Sequence, residues 1–344
     1  MRELNVFSGP DSIRDYLNPG KLPYLPLVEV PEHLNPFRGD GVRIYAKMMT
    51  FSTLHSVKAV PAFNMIERMA ERGELDDNPT LIENSSGNTV VALTLCARQF
   101  GIDDARAIIP SEVSKDKVAL LRFFGITPQV NREPDDPEPF DERSGIYKAR
   151  KQGEEEGWVN PGQYHNPDNP SAHERWIAPQ VWQQTKGKLD IFCASLGTTG
   201  TIIGNSRYLK GENSELKVLG VQRAPDNYVP GPRTPNLLKL IDFEWEKHVD
   251  LVQQATRHES YEMSMKLSRG GIFAGPSSGL AMVGLLKELQ EMKERGDFEG
   301  RGEGEELTCV FIAADTPIPY FEEYFKFLPK NLFPDLEDAH LLDD

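Results

Sequence analysis

From Val42 onward, short apolar runs alternate with amphipathic stretches, and that alternation constrains the fold more than any other feature of the chain. VRIYAK (Val42 to Lys47), RAIIP (Arg106 to Pro110), LDIFCAS (Leu189 to Ser195), LKVLGVQ (Leu216 to Gln222) and the apolar run Thr308 to Ala314 read as strands. Thr80 to Glu83 and Thr127 to Val130 are shorter ones. Between them, Ala59 to Arg72 carries Ala62, Phe63, Ile66, Met69 and Ala70 at helical spacing, and Pro61 falls in the first turn, where its missing N–H costs nothing. Further helices are expected over Thr89 to Phe100, Ser114 to Phe124, Ser144 to Gly157, His173 to Thr185, Ser260 to Ser268, Leu280 to Arg295 and Pro319 to Phe327. Strands separated by single helices build βαβ units and hence an α/β fold on parallel sheets. In such sheets ligands bind at the carboxyl ends of the strands, so chemistry is sought in the turns that follow them.

Four of those turns carry reactive or hydrogen-bonding groups. Lys58 stands at the mouth of a helix just after the first long strand; if partly desolvated there, its amine loses basicity and can condense with an aldehyde. ENSSGNT (Glu83 to Thr89) offers N–H groups and hydroxyls suited to a carboxylate. LGTTGTIIG (Leu196 to Gly204) follows a buried strand and opens a helix, so its backbone N–H groups and the hydroxyls of Thr198, Thr199 and Thr201 can cradle a phosphate. It has neither the dinucleotide spacing nor the lysine of a P-loop. AGPSSG (Ala274 to Gly279) places a serine where it can meet a ring nitrogen. Taken alone, each of the three loops also has a reading as a tight turn or helix cap, and Lys58 one as a solvated lysine. Three such turns and a lysine at a fourth strand end together match what pyridoxal phosphate requires.

Composition excludes several other classes. The 344 residues allow one large or two ordinary domains. Acidic residues outnumber basic ones by 53 to 38 and no basic stripe exists, which argues against a nucleic-acid partner. No apolar run approaches the roughly 18 residues of a membrane helix, and the N-terminus lacks the pattern of a secretory signal. Cys96, Cys193 and Cys309 are scattered in apolar segments, so a cytoplasmic setting is expected, and the seven histidines show no metal-ligand spacing. NREPDDPEPFDER (Asn131 to Arg143) reads as a solvated loop, Trp158 to Pro170 as a loop-rich crossing, and Arg223 to Asp242 as irregular.

These motifs resemble those of the fold-type II pyridoxal-phosphate enzymes, in particular the cysteine synthase and cystathionine β-synthase group. SVK (Ser56 to Lys58) resembles the family's cofactor-lysine motif, SSGNT (Ser85 to Thr89) its substrate-carboxylate loop, and QYHNPDNPSAH (Gln163 to His173) its QFxNPxNPxAH segment. GTTGT (Gly197 to Thr201) is similar to its phosphate loop and GPSSG (Gly275 to Gly279) to its ring-nitrogen turn. The motifs keep the family's order from about Leu25 to Tyr324. The resemblance implies two parallel-sheet domains of the tryptophan synthase β-like architecture. A small substrate-closing domain would span 51–166, a large cofactor-binding domain 1–50 and 167–330, and an acidic tail 331–344. It implies that Lys58 holds pyridoxal 5'-phosphate and moves the Cα proton. Asn88 would contact the phenolic oxygen, Gly197, Thr198, Thr199, Gly200 and Thr201 the phosphate, and Ser277 the ring nitrogen. Ser85, Ser86, Gly87, Thr89 and Gln163 would receive the substrate carboxylate. A neutral serine at the ring nitrogen leaves a weaker electron sink, which suits prompt loss of a β-leaving group. The implied reaction is β-replacement on O-acetylserine or O-phosphoserine through a bound aminoacrylate, in a homodimer. β-Elimination or dehydration to a keto acid and ammonia is the alternative, and a non-catalytic cofactor-binding role is a third. The chain departs from the family pattern at Ala59 and Val60, where Asp-Arg is usual, at Leu54, His55 and Val90, and at Thr199, where glycine is usual. His55 is open to two readings, an acid/base group or a packing residue.

Overall fold

The computed structural model describes residues 5–132, 141–298 and 306–338. Ten strands form two sheets. The larger runs in the order β1-β2-β10-β7-β8-β9, where β1 is Leu27–Glu29, β2 Val42–Met48, β7 Ile191–Ser195, β8 Lys217–Arg223, β9 Leu251–Ala255 and β10 Leu307–Ala313. Only the β1–β2 pairing is antiparallel. The smaller sheet runs β5-β4-β3-β6 and is parallel throughout, with β3 at Thr80–Asn84, β4 at Ala105–Pro110, β5 at Thr127–Asn131 and β6 at Trp158–Val159.

Every residue of β10 is buried, and β7 is buried along all but its last residue, because helices cover both faces of the sheet. The Pro276–Glu294 helix lies on one face and fills a core with Ile44, Leu219, Val221, Leu285 and Phe311. Gly284 allows that approach, since a Cβ there would sit 2.4 Å from a Val221 methyl. On the other face the Gly200–Glu212 helix packs against β7 and β8, while the Ala59–Glu71 helix packs on the Asn88–Ala97 and Asp168–Ala172 helices and buries Phe63, Met65 and Ile66 completely, each contributing roughly 2 kcal/mol of apolar transfer. The Arg257–Arg269 helix begins with a capping box between Thr256 and Glu259.

Three sequence expectations are corrected in detail. Trp158 and Val159 are not loop but a two-residue strand paired with Thr80 and Leu81. Leu251–Ala255 forms an edge strand that the apolar pattern does not mark, because LVQQA buries only its last residue and lacks a continuous apolar run. Within Arg223 to Asp242, Pro235–Leu238 forms one helical turn capped by Thr234. Most of the Asn131 to Arg143 loop, and the end of the acidic tail, lie outside the described residues.

Candidate active site

The carboxyl ends of both sheets face one cleft of about 350 Å³. Its walls include Lys58, Ser85 to Thr89, Gln163, Gly197 to Thr199, Thr201 and Ser277, so the residues singled out from five separate segments meet in one place. Gly200 is the only one of them absent from the lining. A Cβ there would sit 2.2 Å from the Asn169 amide oxygen, and its role is to let the loop pack against the Asp168–Ala172 helix.

Lys58 ends a tight turn, with its N–H donated to Ser56 Oγ at 3.2 Å, and it N-caps the Ala59–Glu71 helix. Burial lowers its amine to about 8; the Asp315 carboxylate raises it and the Arg233 guanidinium lowers it further. An amine in this state is in part uncharged, and hence nucleophilic, near neutral pH.

The Ser85–Thr89 turn is braced from below. Glu83, buried on β3, accepts the backbone N–H groups of Gly162 (3.1 Å), Gln163 (3.3 Å) and Asn84 (2.9 Å). Burial still raises its carboxyl to about 7, against the lowering effect of those donors. This arrangement pins the turn that carries Gln163, whose amide accepts the Thr89 hydroxyl at 2.9 Å and donates to the Asn84 carbonyl at 3.2 Å. Asn169 continues the brace, donating to the Gln163 carbonyl at 2.7 Å and to Thr198 Oγ1 at 3.1 Å. The Ser85–Thr89 and Gly197–Thr201 turns are thus tied together through QYHNPDNP.

Thr199 adopts φ +66°, a left-handed conformation in which glycine is the easier residue, and its Oγ1 is buried without a hydrogen-bond partner among the described residues. A strained backbone and an orphaned buried hydroxyl, at the start of the Gly200–Glu212 helix, fit a phosphate oxygen that the hydroxyl and the helix N–H groups would receive. Thr201 Oγ1 lies 3.2 Å from Nε2 of His173, a residue that burial first and Lys58 second keep neutral by lowering it to about 3. These residues fit a phosphorylated aldehyde cofactor.

Sequence reasoning missed several residues of the cleft. Asp315, just past β10, accepts from Asn88 Nδ2 at 2.8 Å and from the Tyr320 hydroxyl at 2.6 Å, and is buried. Arg233 stacks 4.7 Å from the centroid of the Tyr164 ring, and Arg223 and Lys117 approach the Tyr228 ring from 5.2 and 5.9 Å. Lys117 also pairs with Glu323 at 3.5 Å, across from the smaller sheet to the C-terminal helix Phe321–Phe327. Asp315 at the carboxyl end of a parallel strand was a readable signal; Glu83 was not, because a glutamate inside a strand reads as surface. His55 is exposed, adopts φ +54°, lies 3.0 Å from the Thr50 carbonyl through Nδ1, and does not line the cleft.

A lysine with depressed basicity beside a phosphate-type loop, between two parallel sheets, defines a pyridoxal-phosphate enzyme, and the chain belongs to that family: the profile of the pyridoxal-phosphate dependent enzymes matches residues 23–299. Among relatives, cysteine synthase B of Pseudomonas aeruginosa is 34% identical over 247 residues, covering 69% of this chain and 78% of that one. The cysteine synthase of Aquifex aeolicus is 30% identical over 300 residues, 84% of this chain and 90% of its own. The crystal structure of cysteine synthase from Entamoeba histolytica shares the fold with a TM-score of 0.76 at 24% identity, covering 96% of each chain.

Proposed function

We propose that this chain catalyses β-replacement on an O-activated L-serine with pyridoxal phosphate as cofactor. The observation that carries the reading is the convergence on one cleft of a lysine of lowered basicity, a carboxylate-type turn and a phosphate-type turn. Relatives that bear the name cysteine synthase support it. When bound, the cofactor supplies the electron sink that acidifies Cα and lets the β-substituent depart. Lys58 would hold the cofactor and move the Cα proton. Asn88 meets the phenolic oxygen, residues 197 to 201 the phosphate, and Ser277 the ring nitrogen. Ser85, Ser86, Gly87, Thr89 and Gln163 orient the substrate carboxylate. The small domain, 51–166, carries the four-stranded sheet and closes over the large one, 1–50 with 167–330, excluding water. Three buried free cysteines favour a reducing, cytoplasmic setting, and a homodimer is the family expectation. Among the described residues no helix is long and apolar enough to cross a membrane.

The charge of the cleft bears on the leaving group. In a chain of net charge −15, the described lining holds Lys58, Lys117, Arg223, Arg233 and Asp315, with Lys117 also pairing with Glu323 just outside it. That excess of cations favours a phosphate over an acetate on the serine oxygen. The test offers holoenzyme O-phosphoserine or O-acetylserine with sulfide. Cysteine should form from both, with kcat/KM several-fold higher for O-phosphoserine at low salt and the gap narrowing as salt is added. Pyruvate and ammonia as the main products would replace this reading with β-elimination.

A further inference from the structure

Asp315 has an environment that its neighbours do not require for packing. Its Oδ2 takes two donors, Asn88 Nδ2 at 2.8 Å and the Tyr320 hydroxyl at 2.6 Å. Its Oδ1 is buried and meets no hydrogen-bond partner among the described residues. The backbone around it is fixed on three sides: Gly275 N–H donates to its carbonyl at 2.8 Å, Val57 N–H donates to the Ala314 carbonyl at 2.6 Å, and Ser56 and Asp315 form an isolated β-bridge. Glycine at 275 leaves room for it, since a Cβ there would sit 2.5 Å from Oδ1. A buried carboxylate with an unpaired oxygen is costly; the Ser56–Asp315 bridge and the Val57–Ala314 hydrogen bond bring it beside the Lys58 turn, both residues line the same cleft, and Lys58 acts on it by charge.

We propose that Asp315 is a positioning residue for the reaction. Clamped by Tyr320, its carboxylate sets the orientation of the Asn88 amide and supplies the counter-charge for the protonated Lys58. This rests on the proposed function for what Asn88 and Lys58 do, but not for the pairing itself. Because Asn88 Nδ2 spends one hydrogen on Asp315, its second hydrogen is directed by that bond, which determines where the amide can donate. The groups that act on Asp315 are Tyr320 and Asn88 by hydrogen bonds, and Lys58 and Lys117 by charge; Tyr324 feels it in turn, and Arg233 opposes it at Lys58. Burial outweighs all of these and raises the Asp315 carboxyl to about 6, so it carries its charge when Lys58 titrates. The lysine thus titrates against a fixed anion.

The test uses the apoprotein, so its readout is independent of turnover. The pH dependence of Lys58 modification by an amine-specific reagent is followed by peptide mass spectrometry. In Asp315→Asn the midpoint should fall by about one pH unit, as expected when an opposite charge is removed from a partly desolvated amine. Tyr320→Phe keeps the charge and should leave the midpoint where it is in the wild type. Asp315→Ser removes the same charge with a smaller side chain and serves if asparagine disturbs folding. Midpoints unchanged in both Asp315 variants, or lowered equally by Tyr320→Phe, would overturn the proposal. A second readout follows the holoprotein: the pH dependence of the cofactor's visible absorbance should move in Asp315→Asn and in Asn88→Ala alike, and independence of the two would count against the Asn88 half. If Lys58 never captures the cofactor, the proposed function fails while the apoprotein titration still decides on Asp315.

Discussion

At the scale of single residues, Lys58 is the group whose physical state matters most. Its ammonium is disfavoured because the cleft withholds water, not because cations surround it, since burial is the largest influence and Asp315 pulls the other way. A base whose folded value is lowered to about 8 gains its nucleophilic form as pH rises through that value. Reconstitution of apoprotein with pyridoxal phosphate should therefore accelerate between pH 7 and 9 and level off above, measured as growth of visible absorbance. A rate still climbing above pH 10, as for a solvated lysine, would show that the cleft does not act on the amine. Lys58 was legible in the sequence because strand, proline at the first helical turn and apolar spacing place it without any tertiary knowledge. The unusual backbone of Thr199 was half legible, since threonine stands where the family carries glycine, but its orphaned hydroxyl is a property of packing. Arg233 and Asp315 act on the lysine from segments 175 and 257 residues away (233 − 58 and 315 − 58); the strand-end place of Asp315 is readable locally, but that either residue acts on Lys58 is not.

Among elements, strand ends and turns carry the site, and Glu83 shows how they are held. A β3 glutamate inside the smaller sheet collects three backbone N–H groups and so fixes the Gly162–Gln163 turn against the Ser85–Thr89 turn. Glu83→Gln preserves volume but turns an amide NH2 toward one of those donors. Stability should drop by about 1–3 kcal/mol in urea denaturation. KM for the amino acid should rise more than kcat falls, because Gln163, which we propose meets the substrate carboxylate, is what loosens. Equal losses in kcat and kcat/KM would show instead that Glu83 acts in the chemical step. Strand alternation made the βαβ organisation readable, including the fully buried β10 and the almost fully buried β7. The edge elements were harder: β6 has two residues, and β9 alternates too weakly to separate from loop. Edge strands satisfy only one neighbour, so their sequences are less constrained toward apolar residues.

For the whole molecule, stability should carry the signature of its buried charges. Lys47, on β2, is fully buried and donates to the Leu25 carbonyl (2.7 Å), Gln180 (2.8 Å) and Gln184 (2.8 Å), a set without a carboxylate. Burial lowers it to about 7. Between that value and its ordinary 10.5 the unfolded chain binds a proton that the fold does not, so this lysine makes the fold more stable as pH rises through that window and costs stability below it. Lys58 acts in the same sense from about 8. Unfolding free energy measured in urea should rise from pH 7 to 9, and Lys47→Met should reduce that rise by roughly 2 kcal/mol. An unchanged slope would mean that Lys47 stays charged in the fold.

The central claim is that one lysine among all those of the chain captures the cofactor, and the most direct measurement is chemical trapping. Holoprotein is reduced with borohydride, digested, and the peptides weighed. The account predicts a single phosphopyridoxyl label, on Lys58, and none in Lys58→Ala, which should also be colourless. A label on Lys47, Lys117 or any other lysine, or colour retained in Lys58→Ala, would contradict it.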